Sequence, residues 1–286
     1  MTGRFARMRT ALLLVALMAC PGLAAAQQRP LDTQDPESIG AGNVSVAAGL
    51  TYANDVSYPL SGLEGNLWQV AVVHLQVGVS SIAEFEITGG PYDQLSIASR
   101  TSAPLASAVT TTGPTTHAVD DVVVGTKIRL ISETADRPSV GFRFSVRLPN
   151  AKHESGLGQD TTDFAASLLG AKTVSRLRVV GNAGVMIMSE PLDAEKQNDV
   201  LTYGLALILR AGETTDLVAE ANGRASARPG IAPIGTESRG VARAGFRHRI
   251  GGLQLDAAAL FGLTRLDPAT GVTFGFSYTF KAFAVP

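Results

Sequence analysis

Basic side chains recur at alternate positions within apolar runs of this chain, and that spacing is where its chemistry has to be sought. Val140, Phe142, Phe144, Val146 and Leu148 alternate with Gly141, Arg143, Ser145 and Arg147, and Val122, Val124, Thr126, Ile128 and Leu130 lie opposite Lys127 and Arg129. Successive side chains of a strand face opposite sides of a sheet. One face of each run is therefore wholly apolar, while the other carries charge that a dry core would not accept unpaired. The same parity gathers Lys127, Arg129, Arg143, Arg147, Arg178, Arg243, Arg247 and Arg249 on the polar side, against Glu84, Glu86, Glu220 and Asp256. A turn across Ser132 to Asp136 sets Lys127 opposite Arg143 and Arg129 opposite Gly141. Like charges that close repel, so they require water, an acidic partner from across the structure or a bound anion. Two roles fit: a path for a solute, with Lys127, Arg129, Arg143, Arg147, Arg178, Glu220, Arg243 and Arg247 as its candidates, or a salt network that packs a narrow interior.

Catalysis has less to work with. The histidines are His74, His117, His153 and His248, and no nucleophile elbow, His-Glu-x-x-His helix or paired acidic motif accompanies them. His153, Glu154 and Asp160 share the run Asn150 to Asp160, but polar residues belong on an exposed loop, and Gly156-Leu157-Gly158 serves a sharp turn there. No catalytic residue, metal site or cofactor is expected. A hydrolase at the rim of the structure is the less favoured alternative.

Arg4, Arg7 and Arg9, an apolar stretch from Ala11 to Ala19 and Ala24-Ala25-Ala26 form a secretory signal over residues 1–26, so the mature chain should begin at Gln27. Cys20, the only cysteine, follows Leu17-Met18-Ala19, a loose acylation motif that Met18 fits poorly. Cleavage would leave no thiol for a disulfide, a nucleophile or a metal. The net charge of −1 speaks against a nucleic-acid partner, and the charged fraction of 17% lies below the ~25% of soluble domains. Beyond the leader no apolar run reaches the ~20 residues of a membrane helix.

Strand-like runs recur instead, near 43–52, 66–77, 81–88, 119–131, 137–148, 161–172, 175–188, 198–210, 214–224, 238–249, 252–261 and 271–280. Five connections are tight, at 78–80, 132–136, 173–174, 211–213 and 251–252. The others are longer, at 53–65, 89–118, 149–160, 189–197, 225–237 and 262–270. An even number of about twelve strands, with short turns at one rim and long loops at the other, predicts an all-β, antiparallel up-and-down transmembrane barrel over 43–280, its short turns periplasmic. Leu201, Tyr203, Leu205, Leu207 and Leu209, then Leu253, Leu255, Ala257, Ala259 and Phe261, then Val272, Phe274, Phe276, Tyr278 and Phe280 should meet lipid. Trp68, Val70 and Val72 alternate with Gln69, Ala71 and Val73, so that strand has no readable face. In the 89–118 loop, Leu95, Ile97, Leu105 and Val109 favour packing into the lumen. The Pro-rich, acidic segment 27–42 lies at the periplasmic mouth, positioned to enter the lumen as a small plug. The tail 281–286 places Phe280 and Phe283 as rival assembly signals.

The stretch from Asp121 to Leu130, then Pro138 to Leu148, Pro149, Gly156-Leu157-Gly158 and Asp160-Thr161-Thr162-Asp163-Phe164 resembles the central signature of the outer-membrane transporter family named for the MetA pathway of phenol degradation. The resemblance is specific between about 120 and 190. It implies a bacterial outer-membrane barrel passing small, often aromatic or hydrophobic, compounds. Its partners would be outer-membrane lipid, the barrel assembly machinery and a small-molecule solute. The alternative is a non-conducting barrel whose loops bind partners.

Overall fold

A computed structural model describes residues 29–285; the leader, Cys20 and the expected start at Gln27 lie outside the described residues, as does Pro286. Its strand segments are β1 (Asn43–Tyr58), β2 (Leu63–Gly78), β3 (Ala83–Gly89), β4 (Tyr92–Arg100), β5 (Thr115–Ala118), β6 (Val122–Ile131), β7 (Ser139–Leu148), β8 (Asp163–Val174), β9 (Leu177–Glu190), β10 (Asp193–Arg210), β11 (Thr215–Ser226), β12 (Arg239–Ile250), β13 (Leu253–Gly262) and β14 (Thr270–Lys281). Every pairing is antiparallel, and β1 bonds both β14 and β2, which closes the sheet. Two staves are each built from two segments. β2 pairs with β3 through Val73–Gly78 and with β4 through Leu63–Val70, while β6 lies against β3 and β5 against β4. Pro91 has no N–H for the ladder and interrupts one stave; the other is interrupted opposite it, and Asp120 N donates to Gly90 O at 2.8 Å across the break. The fourteen segments thus make a closed wall of twelve staves.

The distribution of side chains is inverted relative to a water-soluble protein. Leu201, Leu205, Phe144, Phe261 and Phe274 are exposed, whereas Glu84, Glu86, Lys127, Asp163 and Asp256 are buried. That arrangement suits hydrocarbon outside and a polar interior. Rings mark two heights of the outer face: Tyr52 and Trp68, 4.6 Å apart, and Tyr278 and Phe280, 5.9 Å apart. Leu205, 55% exposed near the middle of the outward row of β10, gives a direct test. Leu205→Arg should destabilise the lipid-embedded barrel by about 2–4 kcal/mol in a reversible denaturant titration from vesicles, and no change would show that this face does not meet lipid.

The unreadable strand has a local cause. Ala71 adopts φ 56° at a bulge where β2 slips against β1 between Gly49 and Leu50. A bulge inserts one residue and exchanges the faces beyond it. Leu63 and Leu67 point inward before it, and Gln76 does so after it, while Trp68 and Val73 are exposed on the outside. Asp55, φ 54°, repeats the device in β1.

Three expected loops are corrected. Within 89–118, β4 and β5 continue the wall, so only 101–114 connects them. The stretch 53–65 is mostly strand, with its turn at 59–62, and 189–197 is mostly strand, with its turn at 191–192. These extensions project past the apolar band, where water replaces lipid on the outside and removes the lipid-facing pattern used to recognise strands. The tip expected at 173–174 falls at 175–176, where Ser175 takes φ 56°.

Candidate functional site in the barrel lumen

Residues 29–42 run around the inside of the wall before entering β1, meeting the staves nearly in reverse chain order. Arg29 Nη2 lies 3.3 Å from Asp256 Oδ1 on β13 and 3.2 Å from Thr273 Oγ1 on β14. Its guanidinium fills a slot over Gly49 and Gly275, register partners across β1 and β14, where any Cβ would collide with it. Leu31 packs on Ala171, Val180, Ala206, Ile208 and Val218. The backbone N–H groups of Asp32 and Thr33 donate to the Glu220 carboxylate at 2.9 and 2.8 Å, and Arg243 binds both Asp32 and Glu220 at 2.6 Å. Gln34 and Asn182 exchange two hydrogen bonds of 2.6 and 2.7 Å. Arg178 clasps Asp35 through Nε and Nη2 at 2.6 and 2.7 Å, Arg129 pairs with Glu37, and Ile39 N donates to Glu84 at 2.7 Å.

The sequence-predicted residues therefore fall into separate groups. Arg129, Arg178, Glu220 and Arg243 hold the N-terminal segment. Lys127 and Arg143 face each other in the expected register, with Arg129 opposite Gly141. The acids that relieve their repulsion stand on the adjacent stave rather than across the barrel: Lys127 Nζ is 2.8 Å from Glu84 and 3.8 Å from Glu86, and Arg143 Nε is 2.7 Å from Glu86. Arg147 pairs with Asp121 at 3.3 Å and with Asp163. Arg247 and Arg249 share Asp216 at 2.9 and 2.7 Å. At the tight-turn rim, burial alone would raise the Glu133 pKa, but the N–H of Thr173 and the guanidinium of Arg178 outweigh it and hold the carboxyl below the usual range.

Open space lies on both sides of the segment. Toward the long loops, a cavity of about 390 Å³ reaches from Asp32, Thr33 and Gln34 to Arg224 and Arg239, and a second of about 310 Å³ continues beneath the outer loops against Tyr58, Leu60 and Leu157. Toward the tight turns, a cavity of about 620 Å³ is bounded by Glu37, Arg178, Arg210 and Arg247. The outer mouth is covered, since Ser61 Oγ donates to Gly156 O at 2.7 Å, Thr116 Oγ1 to Ser155 O at 2.7 Å and Gln159 Nε2 to Gly235 O at 2.9 Å. Beneath this cover Ala53, Val56, Leu63, Leu67 and Leu95 form an inward apolar cluster with Tyr58, Ile97, Val109 and Leu157. An apolar pocket of about 490 Å³ sits at the interrupted staves between Val73, Leu75, Ile87, Pro91 and Val122. His153 lies in a short 3-10 turn, 3.5 Å from Asp160, and no metal-binding cluster forms among the described residues.

Sequence reasoning missed Asp32, Asp35 and Glu37 as individual partners, though the acidity of their segment was visible. It also missed Arg224 and Arg239, which share the inward parity of Glu220 and Arg243 but lie at the ends of their runs.

No family model and no curated protein matches the chain. Among solved structures it is similar to the translocator domain of the autotransporter NalP from Neisseria meningitidis, at 16% identity and a TM-score of 0.51 over 98% of this chain and 97% of that one. It is also similar to the NanC porin, at 8% identity and a TM-score of 0.50 over 82% of this chain and 98% of that one. These likenesses establish the fold, a closed twelve-stranded barrel of the outer-membrane kind.

Proposed function

We propose that the protein is a bacterial outer-membrane channel for small solutes, with a lumen held shut by residues 29–42. The observation that carries this reading is the placement of the segment 29–39, bound to the wall by charge-assisted contacts, between the inner cavity of about 390 Å³ and the tight-turn cavity of about 620 Å³. Solute would enter through the outer loops, pass the arginine-lined lumen and leave at the tight-turn rim once the segment moves aside. Passage is downhill and uses no cofactor. The resemblance around 120–190 supports aromatic or hydrophobic compounds as the solute class, and the inward cluster around Leu63, Leu67 and Leu95 offers such compounds an apolar entry. A secretory leader and a lipid-facing wall agree with assembly into the outer membrane by the barrel assembly machinery.

The dense ion pairing favours a second reading, a non-conducting structural barrel. Planar-bilayer recording separates the two. The mature protein should give discrete conductance steps, and Arg143→Gln with Arg147→Gln should reduce its anion preference. Silence of both the mature chain and a chain lacking residues 27–42 would remove the channel reading. An unchanged anion preference would remove Arg143 and Arg147 from the path.

A further inference from the structure

We propose that Arg224 and Arg239 form an oxyanion-binding subsite at the neck between the two outer cavities, receiving the carboxylate of a small organic acid whose apolar body lies against Tyr58, Leu60 and Leu157. Both arginines, with Arg147, line both cavities, so they stand where one chamber opens into the other. They are register partners across β11 and β12, which sets two cations side by side.

Their pairing distinguishes them from most of the other inward cations. Lys127, Arg129, Arg143, Arg147, Arg178, Arg243 and Arg247 each have a carboxylate within 4.0 Å. Among the described residues, Arg224 and Arg239 have none. Arg224 donates to the carbonyls of Glu237 at 3.0 Å and Gly235 at 3.2 Å, and Arg239 to those of Leu266 and, at 3.3 Å, Ser57. Carbonyls satisfy N–H groups without neutralising charge. The acids nearby make no direct pair with either arginine: Asp267, which also lines both cavities, accepts from Gly240 N at 2.8 Å and Thr264 Oγ1 at 2.7 Å, Glu237 accepts from Gly235 N at 2.9 Å, and Asp163 holds Arg147. Two arginines at facing register positions suit a planar carboxylate, whose two oxygens each accept from guanidinium N–H groups. The apolar side chains beyond the neck favour an organic acid over an inorganic anion. As a solute class this deepens the channel reading and rests on it; as a binding site it is tested separately.

Isothermal titration of the detergent-folded mature protein with benzoate, benzamide and sulfate reads the site directly. Benzoate should bind saturably, with benzamide and sulfate each at least about tenfold weaker. Arg224→Gln and Arg239→Gln should each weaken benzoate by roughly tenfold or more, and the lysine variants should recover part of the loss. Equal binding of benzoate and benzamide by the unmodified protein overturns the proposal, and needs no variant. Unchanged benzoate affinity in the double glutamine variant, shown folded by its heat-modifiable gel migration, overturns it as well. Sulfate binding as tightly as benzoate overturns the organic-acid assignment. Benzoate binding in a protein that is silent in bilayers would sink the channel reading and leave the subsite standing.

Discussion

Deleting residues 27–42 should convert a rarely conducting barrel into a steadily open, anion-selective pore, with mean current raised on the order of tenfold. The segment offers the lumen Asp32, Asp35 and Glu37 against Arg29, so its removal takes away more negative than positive charge. Arg129 loses Glu37, Arg178 loses Asp35 and Arg243 loses Asp32, while the wall keeps Glu133 beside Arg178 and Glu220 beside Arg243. A cation-rich pore focuses anions. The measurement is the reversal potential across a salt gradient, together with unitary conductance. If current and selectivity match those of the intact chain, the segment does not occlude the route.

Lys127→Met should be the most damaging single substitution in the wall. Its ammonium is 1% exposed and meets Glu84 and Glu86, themselves 0% and 1% exposed. Removing the ammonium strands the buried Glu84 carboxylate, while Glu86 keeps Arg143; stranding a buried charge typically costs about 3–5 kcal/mol. The loss should appear as a lower denaturant midpoint and a reduced fraction of heat-modifiable folded barrel on a gel. The combination of Lys127→Met with Glu84→Gln should recover much of it, because a neutral amide needs no counter-charge and Glu86 keeps Arg143 as its partner. A single variant as stable as the unmodified protein would mean that water reaches this trio and screens it.

Alternation was readable in the sequence wherever one face meets lipid and the other meets water, as in β7, β10 and β14. It vanished where that contrast ends. In β4, Asp93, Leu95 and Ile97 turn inward while Tyr92, Gln94 and Ser96 turn outward. Above the apolar band the stave is wet outside and apolar inside, the pattern of an ordinary soluble sheet. The start of β10, Asp193 to Gln197, was lost for the same reason. In β2 the bulge at Ala71 superimposed two parities that no single alternation describes. The site was legible to a different degree. Parity shows which charges face inward, but pairing between an irregular segment and a curved wall follows no period. Glu84 and Lys127 were visible as inward charges, while the clasp of Arg178 on Asp35 depends on the route of a chain without repeating structure.

That route limits what the barrel can do mechanically. From Arg29, beside the seam of β1 and β14, the chain passes β12, β11, β9, β6, β3 and β2 and returns to the same seam at Asn43. It is an internal hoop fastened to its staves at intervals. Fully extended at ~3.3–3.6 Å per residue, the stretch from Arg29 to Gly42 spans at most about 45–50 Å, which bounds the circumference it can follow. While its rivets hold, the wall cannot dilate without snapping them. Breathing of the barrel and loosening of the hoop are one mechanical event, and a pull applied at Arg29 would unfasten the rivets one after another rather than all together.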